Sequence, residues 1–522
     1  MNAVPRRPVL RALAAAALLL TATACESAVD AQTRSGGASA APRAGGVAEL
    51  GVNLDLVPAN LFTNSNVSIT TVVGLVYDTL VRYDRKSLTP APRLATEWAA
   101  TDGGRTLTLT LRQGVKFHTG RAFTSADVKF SLASYTDPKW NGQLASTAKV
   151  ITAVDTPAPD QVVLHLEHPV GNLFDLLDTV PIIDSATAAD IGTGKRFVGT
   201  GPFVFDAWRP NTDLRFTRNL DYWGGAPYLD GVHVRVIPDS QSLVAAVKSG
   251  QVQLARGVGY RDAESATAGG GVAAIPLEGA ELQAYVGVNV TSPGLDDPRV
   301  RQAVAYALDK ERIVKEVYRD KGYPVSLPWP RTSPAYDPQL DGRYRHDVAK
   351  AKALLAEYGR PVPEIPLAYV GNDQVAATTA QIVQNNLAEA GITVQLTPVD
   401  STQFVKQLIG AQFPGLWATN HSWAQFTPST LTVSAYPFNA RRNSSHFSSP
   451  AYTAAAENAW QLPSGTGAEA TAAYRELSQQ LLDGTFLAEI AVVFEQIVVR
   501  DTLHGVDWSR RRELDLSKAF LA

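Results

Sequence analysis

The sequence has very little cysteine, little net charge and no long hydrophobic run beyond its N-terminal region. Its only cysteine is Cys25, so intramolecular disulfides cannot stabilise the fold and a cysteine-based metal site is excluded. The formal net charge of −3 provides no basic field for nucleic acid. Stability must therefore come from packing, and we predict neither a nucleic-acid partner nor a cofactor.

The N-terminal region has the order of an export signal. Three arginines precede the apolar stretch Leu13–Leu20, which is shorter than the roughly 20 residues that a membrane-spanning helix needs. The following run, Leu20–Cys25, resembles a lipobox, in which the cysteine is lipidated and becomes the mature N-terminus. We therefore predict a signal peptide over residues 1–24 and a lipid on Cys25, with the general and twin-arginine export routes both open.

Residues 25–46 are rich in Ser, Ala, Gly and Thr. These side chains are too small and too polar to build a core. We predict that they form a flexible tether between the lipid and a soluble body. That body, of about 480 residues, is long enough for two or three lobes. These features predict a protein held at the outer face of the cell membrane.

Strands and helices alternate along the body. Residues 106–111 and 161–166 alternate apolar and polar side chains, as half-buried strands do. The segment 240–249 has helical spacing and stops at a glycine, and Pro298–Tyr318 is predicted as one long helix. A further strand is predicted over Gly391–Leu396. This alternation favours an α/β fold.

Four stretches of the body carry a family resemblance. They are Leu111–Gly120 continued by Phe123–Ser131, Val198–Phe203 followed by Arg218–Trp223, Asp296–Lys310, and Val348–Gly359. In order and spacing they resemble the family 5 extracellular solute-binding proteins, which include oligopeptide-, dipeptide- and nickel-binding members. Within the first stretch, alternation predicts that Val115 and Phe117 face inward and that Lys116 and His118 face solvent.

The resemblance implies a two-lobed periplasmic-binding-protein fold of type II, with a hinge of two crossing strands and an extra subdomain inserted in the first lobe. It implies lobe I over 47–75, 195–280 and 505–522, the inserted subdomain over 76–194, and lobe II over 281–504. By the same resemblance, the protein captures a peptide or peptide-like small solute between the lobes and delivers it to ABC permease and ATPase subunits. We expect a monomer.

The resemblance also indicates where the ligand binds. A Trp followed by an aromatic residue and Pro lines the family's cleft, and Trp423 and Phe426 match that pattern. Peptide binders carry an acid shortly after this Trp to pair with the peptide α-amino group, where this chain has Gln425, which cannot neutralise an ammonium. The predicted ligand-binding residues are Trp423, Gln425, Phe426, His421, Asn420 and Trp417 in the second lobe, with Asn53 and Asn64 in the first.

Three alternatives stay open from the residues. The amide at Gln425 suits a non-peptide solute such as a sugar, an opine or a metal chelate, the last assisted by His421 or His446. The protein could also be a ligand-sensing surface protein that reports to a membrane receptor. An enzyme is the third alternative, but the sequence has no GxSxG or HExxH motif, so we predict no catalytic residue and no directly bound metal.

Overall fold

The computed structural model describes residues 41–63, 66–140, 142–422 and 426–522. From Arg43 onward the chain forms one compact unit. Within this unit lie a seven-stranded sheet, a six-stranded sheet and a four-stranded sheet, which we name the first, second and third sheets. In the part of the chain that the structure describes, no helix is both long and apolar enough to cross a membrane.

The strands follow one another along almost the whole described chain. In chain order they are β1 (Val47–Val52), β2 (Val81–Tyr83), β3 (Pro90–Pro92), β4 (Ala95–Thr101), β5 (Thr106–Leu111), β6 (Ile151–Ala158), β7 (Gln161–Leu166), β8 (Phe203–Arg209), β9 (Asp213–Arg218), β10 (Gly231–Val236), β11 (Leu254–Arg256), β12 (Val272–Pro276), β13 (Leu282–Val288), β14 (Gly322–Pro324), β15 (Ile365–Val370), β16 (Val394–Val399), β17 (Leu416–His421), β18 (Leu487–Val493), β19 (Gln496–Arg500), β20 (Leu503–His504), β21 (Asp507–Trp508), β22 (Leu514–Asp515) and β23 (Phe520–Leu521).

The α-helices lie between these strands. In chain order they are α1 (Val67–Val76), α2 (Ser125–Tyr135), α3 (Ala145–Ala148), α4 (Leu173–Thr179), α5 (Ser240–Ser249), α6 (Tyr260–Ala266), α7 (Pro298–Ala307), α8 (Lys310–Glu316), α9 (Pro338–Asp341), α10 (Val348–Tyr358), α11 (Gln374–Ala390), α12 (Ser401–Gly410), α13 (Pro428–Ser434), α14 (Pro450–Trp460) and α15 (Ala468–Gly484).

The first sheet has the strand order β12-β19-β11-β1-β10-β9-β8. Its strand β1 pairs in parallel with both β10 and β11, so several strands end at the same edge. Helix α5 begins where the Asp239 carboxylate accepts a hydrogen bond from the Ser242 N–H at 2.7 Å and ends at Gly250 with φ of 79°. Its apolar face, which includes Leu243 and Val247, packs against this sheet, where Ala255 and Val498 are buried.

The second sheet has the order β14-β18-β13-β17-β15-β16, and the chain crosses between the two large sheets twice. One crossing is residues 277–281 between β12 and β13, and the other is residues 494–495 between β18 and β19. The two crossings are hydrogen-bonded, with the Leu277 N–H donating to the Glu495 carbonyl at 2.8 Å. This arrangement agrees with the predicted hinge of two crossing strands.

The strand after the second crossing belongs to the first sheet. Strand β19 pairs antiparallel with β11 and with β12, and its residues Ile497 and Val498 are fully buried. The predicted second lobe extended to residue 504 and therefore included this strand. By its pairing this strand belongs to the first sheet, and the lobe boundaries stay predictions.

The third sheet, β4-β5-β7-β6, lies within the predicted inserted subdomain. Along β5 the side chains of Leu107, Leu109 and Leu111 are buried, while the threonines between them are less so. This is the alternation that the sequence shows, and β5 and β7 begin and end at the predicted residues.

Two predicted elements differ from the structure. The single helix over 298–318 is wrong, because the Asp309 carboxylate accepts from the Arg312 N–H at 2.9 Å and starts the new helix α8. The strand predicted from Gly391 begins at Val394 instead, because Gly391 closes α11 with φ of 95°.

One residue of the first family stretch also differs. Val115 and Phe117 are buried and Lys116 is exposed, as alternation predicts. His118, which was predicted to face solvent, is largely buried and its Nε2 donates to the Gly201 carbonyl at 3.0 Å. Its backbone N–H donates to the Gly199 carbonyl at 3.0 Å, so the histidine joins the first family stretch to the second.

Candidate functional site

The carboxyl edge of the first sheet brings together Asn53 and Arg256. Asn53 follows β1 directly, and Val52 is the Cα partner of Arg256, the last residue of β11. Gly257 makes room for the amide: a Cβ there would lie 2.0 Å from Asn53 Oδ1, and its φ is 77°. Asn53 Oδ1 is buried and has no hydrogen-bond partner in the structure. Such an atom at a sheet edge is a candidate ligand contact.

Glu495 joins two arginines at the hinge. One carboxylate oxygen lies 3.3 Å from Arg256 Nη2 and the other 3.3 Å from Arg512 Nε. Arg256 also donates to Thr70 Oγ1 at 2.8 Å and Thr71 Oγ1 at 3.1 Å, which fixes the start of α1. Burial lowers the pKa of both guanidinium groups, and Glu495 opposes that shift.

On the second sheet, Gln283 of β13 lies opposite His421 of β17 as its Cα partner. Gln283 is completely buried, and neither its Oε1 nor its Nε2 has a hydrogen-bond partner in the structure. Burial, with a smaller contribution from Arg512, lowers the pKa of His421 to about 3, so its imidazole is neutral at physiological pH. The Phe438 ring lies 5.5 Å from the imidazole, centroid to centroid.

These residues form one connected set, which we name the hinge site. Its members are Asn53, Arg256, Gln283, His421, Glu495 and Arg512. They come from both large sheets and from the two ends of the chain. The set offers unpaired amide groups, a neutral imidazole and guanidinium groups, which suits hydrogen bonding to a polar solute.

Asn420 contributes to a contact between the lobes. Its side chain is exposed, and its Oδ1 accepts a hydrogen bond from the Tyr318 hydroxyl at 3.0 Å. The Tyr318 ring in turn meets the ring of Tyr260, on α6 of the first lobe, edge to face at 5.3 Å. Asn420 therefore lies at the boundary between the lobes, and its predicted contact with the ligand stays a prediction.

Trp417 lies in the core of the structure, and its predicted role as a ligand contact stays a prediction. It is fully buried and stacks on Phe413 at 4.7 Å. Its indole covers Gly287 on the neighbouring strand, where a Cβ would lie 2.0 Å from the ring. Trp417, four residues before the end of the strand, is thus held in the core, while His421 at the strand end lies at the hinge.

Phe426 is buried, and the residues directly after it contact the inserted subdomain. The fully buried Asp175 carboxylate of α4 accepts hydrogen bonds from Tyr83 Oη at 2.7 Å, Thr427 Oγ1 at 2.9 Å and Thr430 Oγ1 at 2.5 Å. The Thr427 N–H donates to the same carboxylate at 3.1 Å. We name these four residues the Asp175 junction.

Several predicted residues lie outside the described residues. They are Cys25, Asn64, Trp423 and Gln425, together with the predicted signal peptide over residues 1–24. Their predicted roles stay predictions.

Sequence reasoning missed four residues of the hinge site: Arg256, Gln283, Glu495 and Arg512. Gln283 lies just after a hinge crossing in an otherwise apolar strand, Leu282–Val288, and a lone polar residue in such a strand was the available signal. Arg512 belongs to the run Ser509–Glu513, whose charges resemble an exposed surface in sequence, yet most of its side chains are buried.

The two lobes, the double crossing and the polar hinge site together define a protein of the two-lobed solute-binding class. The model for bacterial extracellular solute-binding proteins, family 5, matches residues 89–444. The chain belongs to this family, and it is the extracytoplasmic substrate-binding component of an ABC transporter.

Similar proteins agree with this assignment. The chain is 28% identical over 384 residues to a probable di/tripeptide-binding protein 5 of Pseudomonas aeruginosa, covering 68% of this chain and 71% of that protein. It is 28% identical to a glutathione-binding protein of Pectobacterium atrosepticum, covering 73% and 76% of the two chains. The structure of the oligopeptide-binding protein AppA of Bacillus subtilis with a nonapeptide superimposes with a TM-score of 0.77 at 23% identity, covering 92% of this chain and 100% of AppA.

Proposed function

We propose that the protein captures a short peptide or a peptide-like solute between its lobes and delivers it to the permease and ATPase subunits. Relatives named for di/tripeptides and for glutathione support this ligand class. The solute leaves the site chemically unchanged, because delivery needs binding and release only.

The observation that carries the proposal is the buried amide of Gln283. Both of its polar atoms lack a partner, although an unmade hydrogen bond in a buried position costs about 1–3 kcal/mol. A peptide unit offers one N–H donor and one C=O acceptor, which are the two groups that this amide needs. Closure around such a ligand would satisfy both atoms and exclude water.

Native mass spectrometry of the purified full chain, followed by denaturation, tests the ligand class. We expect release of short peptides, and recovery of added peptides with unchanged mass. One discrete non-peptide mass would contradict the peptide proposal and favour the sugar, opine or chelate alternative. Trp423→Ala, a change at the predicted family position, should abolish retention.

Gln283→Leu sharpens this test. Leucine has a similar size but no polar atom, so we expect loss of at least about tenfold in peptide affinity. Gln407→Leu is the matched control, because Gln407 Oε1 is also buried without a partner but lies on α12, away from the hinge. Equal loss in both variants would show that the effect is not specific to the hinge site.

We also propose that a lipid on Cys25 anchors a monomer to the outer face of the cell membrane, with residues 25–46 as the tether. The small-residue run before Cys25 supports this proposal. Cys25→Ser should move the protein from the membrane fraction to the soluble fraction and remove the lipid mass. A membrane-bound Cys25→Ser protein would contradict it.

A further inference from the structure

Two segments that belong to different sheets make a contact across the lobes. Helix α6 joins β11 to β12 of the first sheet, and residues 318–321 form a turn between α8 and β14 of the second sheet. Arg319 Nε and Nη2 each lie 2.8 Å from Glu264 Oε2. One helical turn before Glu264, the Tyr260 ring meets the Tyr318 ring edge to face at 5.3 Å. We name these four residues the interlobe clasp.

The ion pair of the clasp differs from the hinge site in its exposure. The side chain of Arg319 is 38% exposed and that of Glu264 is 58% exposed, whereas Gln283 of the hinge site is completely buried. Among the residues that the structure describes, neither charged side chain has another ionic partner. Each charge is therefore paired with the opposite lobe rather than within its own.

The backbone of the turn is strained. Arg319 has φ of 52° and the following Asp320 has φ of 59°, both in the left-handed region that favours glycine. Two hydrogen bonds close the turn: the Asp320 N–H donates to the Val314 carbonyl at 3.1 Å, and the Lys321 N–H donates to the Tyr318 carbonyl at 2.9 Å. Strain of this kind persists only where surrounding contacts maintain it. In this conformation the Arg319 guanidinium lies against α6.

The turn is also tied to the hinge. The Phe494 N–H, in the second crossing, donates to the Lys321 carbonyl at 2.9 Å. Strand β14, which follows the turn directly, pairs with β18, the strand that leads into the same crossing. The turn is therefore fixed to the second sheet, while α6 is part of the first lobe. Rotation of the lobes about the crossings would separate Arg319 from Glu264 while each sheet stays intact.

We propose that the interlobe clasp holds the two lobes together independently of the solute, so that the ligand-free protein populates a closed state. A contact that exists in only one of two conformations shifts the equilibrium towards that conformation. An exposed ion pair is weak, so the clasp biases closure without preventing the opening that ligand entry needs. The inference concerns the lobes themselves and does not depend on which solute the hinge site binds.

Distance measurement between two spin labels tests the inference on the full chain, with native mass spectrometry to verify that no solute is bound. The labels would be attached through Ala245→Cys on α5 and Lys352→Cys on α10, both exposed positions, in a Cys25→Ser background. We expect the intact clasp to give a closed and an open distance population. Glu264→Gln and Arg319→Gln should each lower the ratio of closed to open molecules about two- to fivefold, as expected for an exposed ion pair.

Exchange of the two charges separates the ion pair from other effects of substitution. The double variant Glu264→Arg with Arg319→Glu rebuilds the pair in reverse, so the population ratio should return towards that of the intact clasp. Salt at about 1 M should lower the ratio in the intact protein, because it screens exposed charges. The same salt should have no further effect when both residues are replaced by glutamine.

Two further variants serve as controls. Glu316→Gln removes a similar exposed pair, with Arg312 at 3.0 Å, but both of these residues lie in α8, so the ratio should not change. Arg319→Gly separates closure from folding. Glycine adopts the observed φ without strain, so this variant should keep the melting temperature and still lower the ratio of closed to open molecules.

Three outcomes would overturn the inference. They are an intact protein that shows only the open distance, a ratio unchanged in Glu264→Gln and Arg319→Gln, and an equal decrease in Glu316→Gln. Failure of the charge exchange to restore the ratio would likewise contradict an ion pair as the cause. The peptide proposal is unaffected by any of these results, because the measurement is made without solute.

Discussion

The hinge site and the Asp175 junction are both buried and polar, but they differ in how their hydrogen bonds are satisfied. At the junction the Asp175 carboxylate accepts four hydrogen bonds from residues of the inserted subdomain and the second lobe. At the hinge site, Asn53 Oδ1, both Gln283 amide atoms and Arg512 Nη1 lack partners. Buried polar groups are normally paired. The difference is consistent with a structural role for the junction and with our proposal that a ligand completes the hinge site.

The strongest way to test this contrast is Asp175→Ala. The change leaves the donors of Tyr83, Thr427 and Thr430 buried without an acceptor, so we expect the free energy of unfolding to fall by about 3–5 kcal/mol. Chemical denaturation would measure it. Asp221→Ala is the control, because Asp221 is exposed and pairs only with exposed Lys116 in the structure. A decrease in the free energy of unfolding of less than about 1 kcal/mol would contradict a structural role for the junction.

The pH dependence of stability gives a second test. Burial raises the pKa of Asp175 and of Asp178 to about 6, above the ordinary value of 3.8. Between these two pH values the folded state holds protons that the unfolded state releases, so the contribution of these two carboxyl groups to stability is greatest below about pH 4 and is lost as the pH rises through 6. Asp175→Asn should remove about half of this slope. A slope unchanged by the substitution would show that Asp175 does not titrate as its burial implies.

At the hinge site, replacing a buried polar side chain should raise the free energy of unfolding rather than lower it. Gln283→Leu removes two unpartnered buried atoms, so we expect the unliganded protein to gain about 1 kcal/mol in stability while it loses affinity. Denaturation of ligand-stripped protein would measure the gain. Destabilisation by more than about 1 kcal/mol would mean that Gln283 is a structural residue like Asp175.

The smallest expected effect belongs to His421. Its pKa of about 3 keeps the imidazole neutral, so His421 should contribute no change in ligand affinity between pH 5 and pH 8. Titration of the retained ligand across this range, with His421→Asn alongside the wild type, would check it. A transition near pH 6 that disappears in His421→Asn would show a charged imidazole at the site.

The fold was predictable from sequence to a large extent, because it depends on local patterns. Alternation predicted β5 and β7 to the residue, and the glycine after Ser249 predicted the end of α5. The break between α7 and α8 was not predictable from spacing, because apolar positions continue through it and only the Asp309 cap separates the helices.

The site was predictable only in part. Family motifs led to the strand that ends at His421, but they could not distinguish buried Trp417 from its neighbours. Gln283 and Arg512 are distinguished by buried polar atoms that have no hydrogen-bond partner. This property can be recognised only once the structure shows that the side chain is buried.

The position of β19 has a consequence for biogenesis. This strand lies between β11 and β12 in the first sheet, although it follows them by more than 200 residues in the chain. The first lobe therefore cannot complete its sheet until almost all of the polypeptide has been synthesised. A nascent chain therefore stays incompletely folded during most of its translation, a state that would suit an export route that admits only unfolded polypeptide.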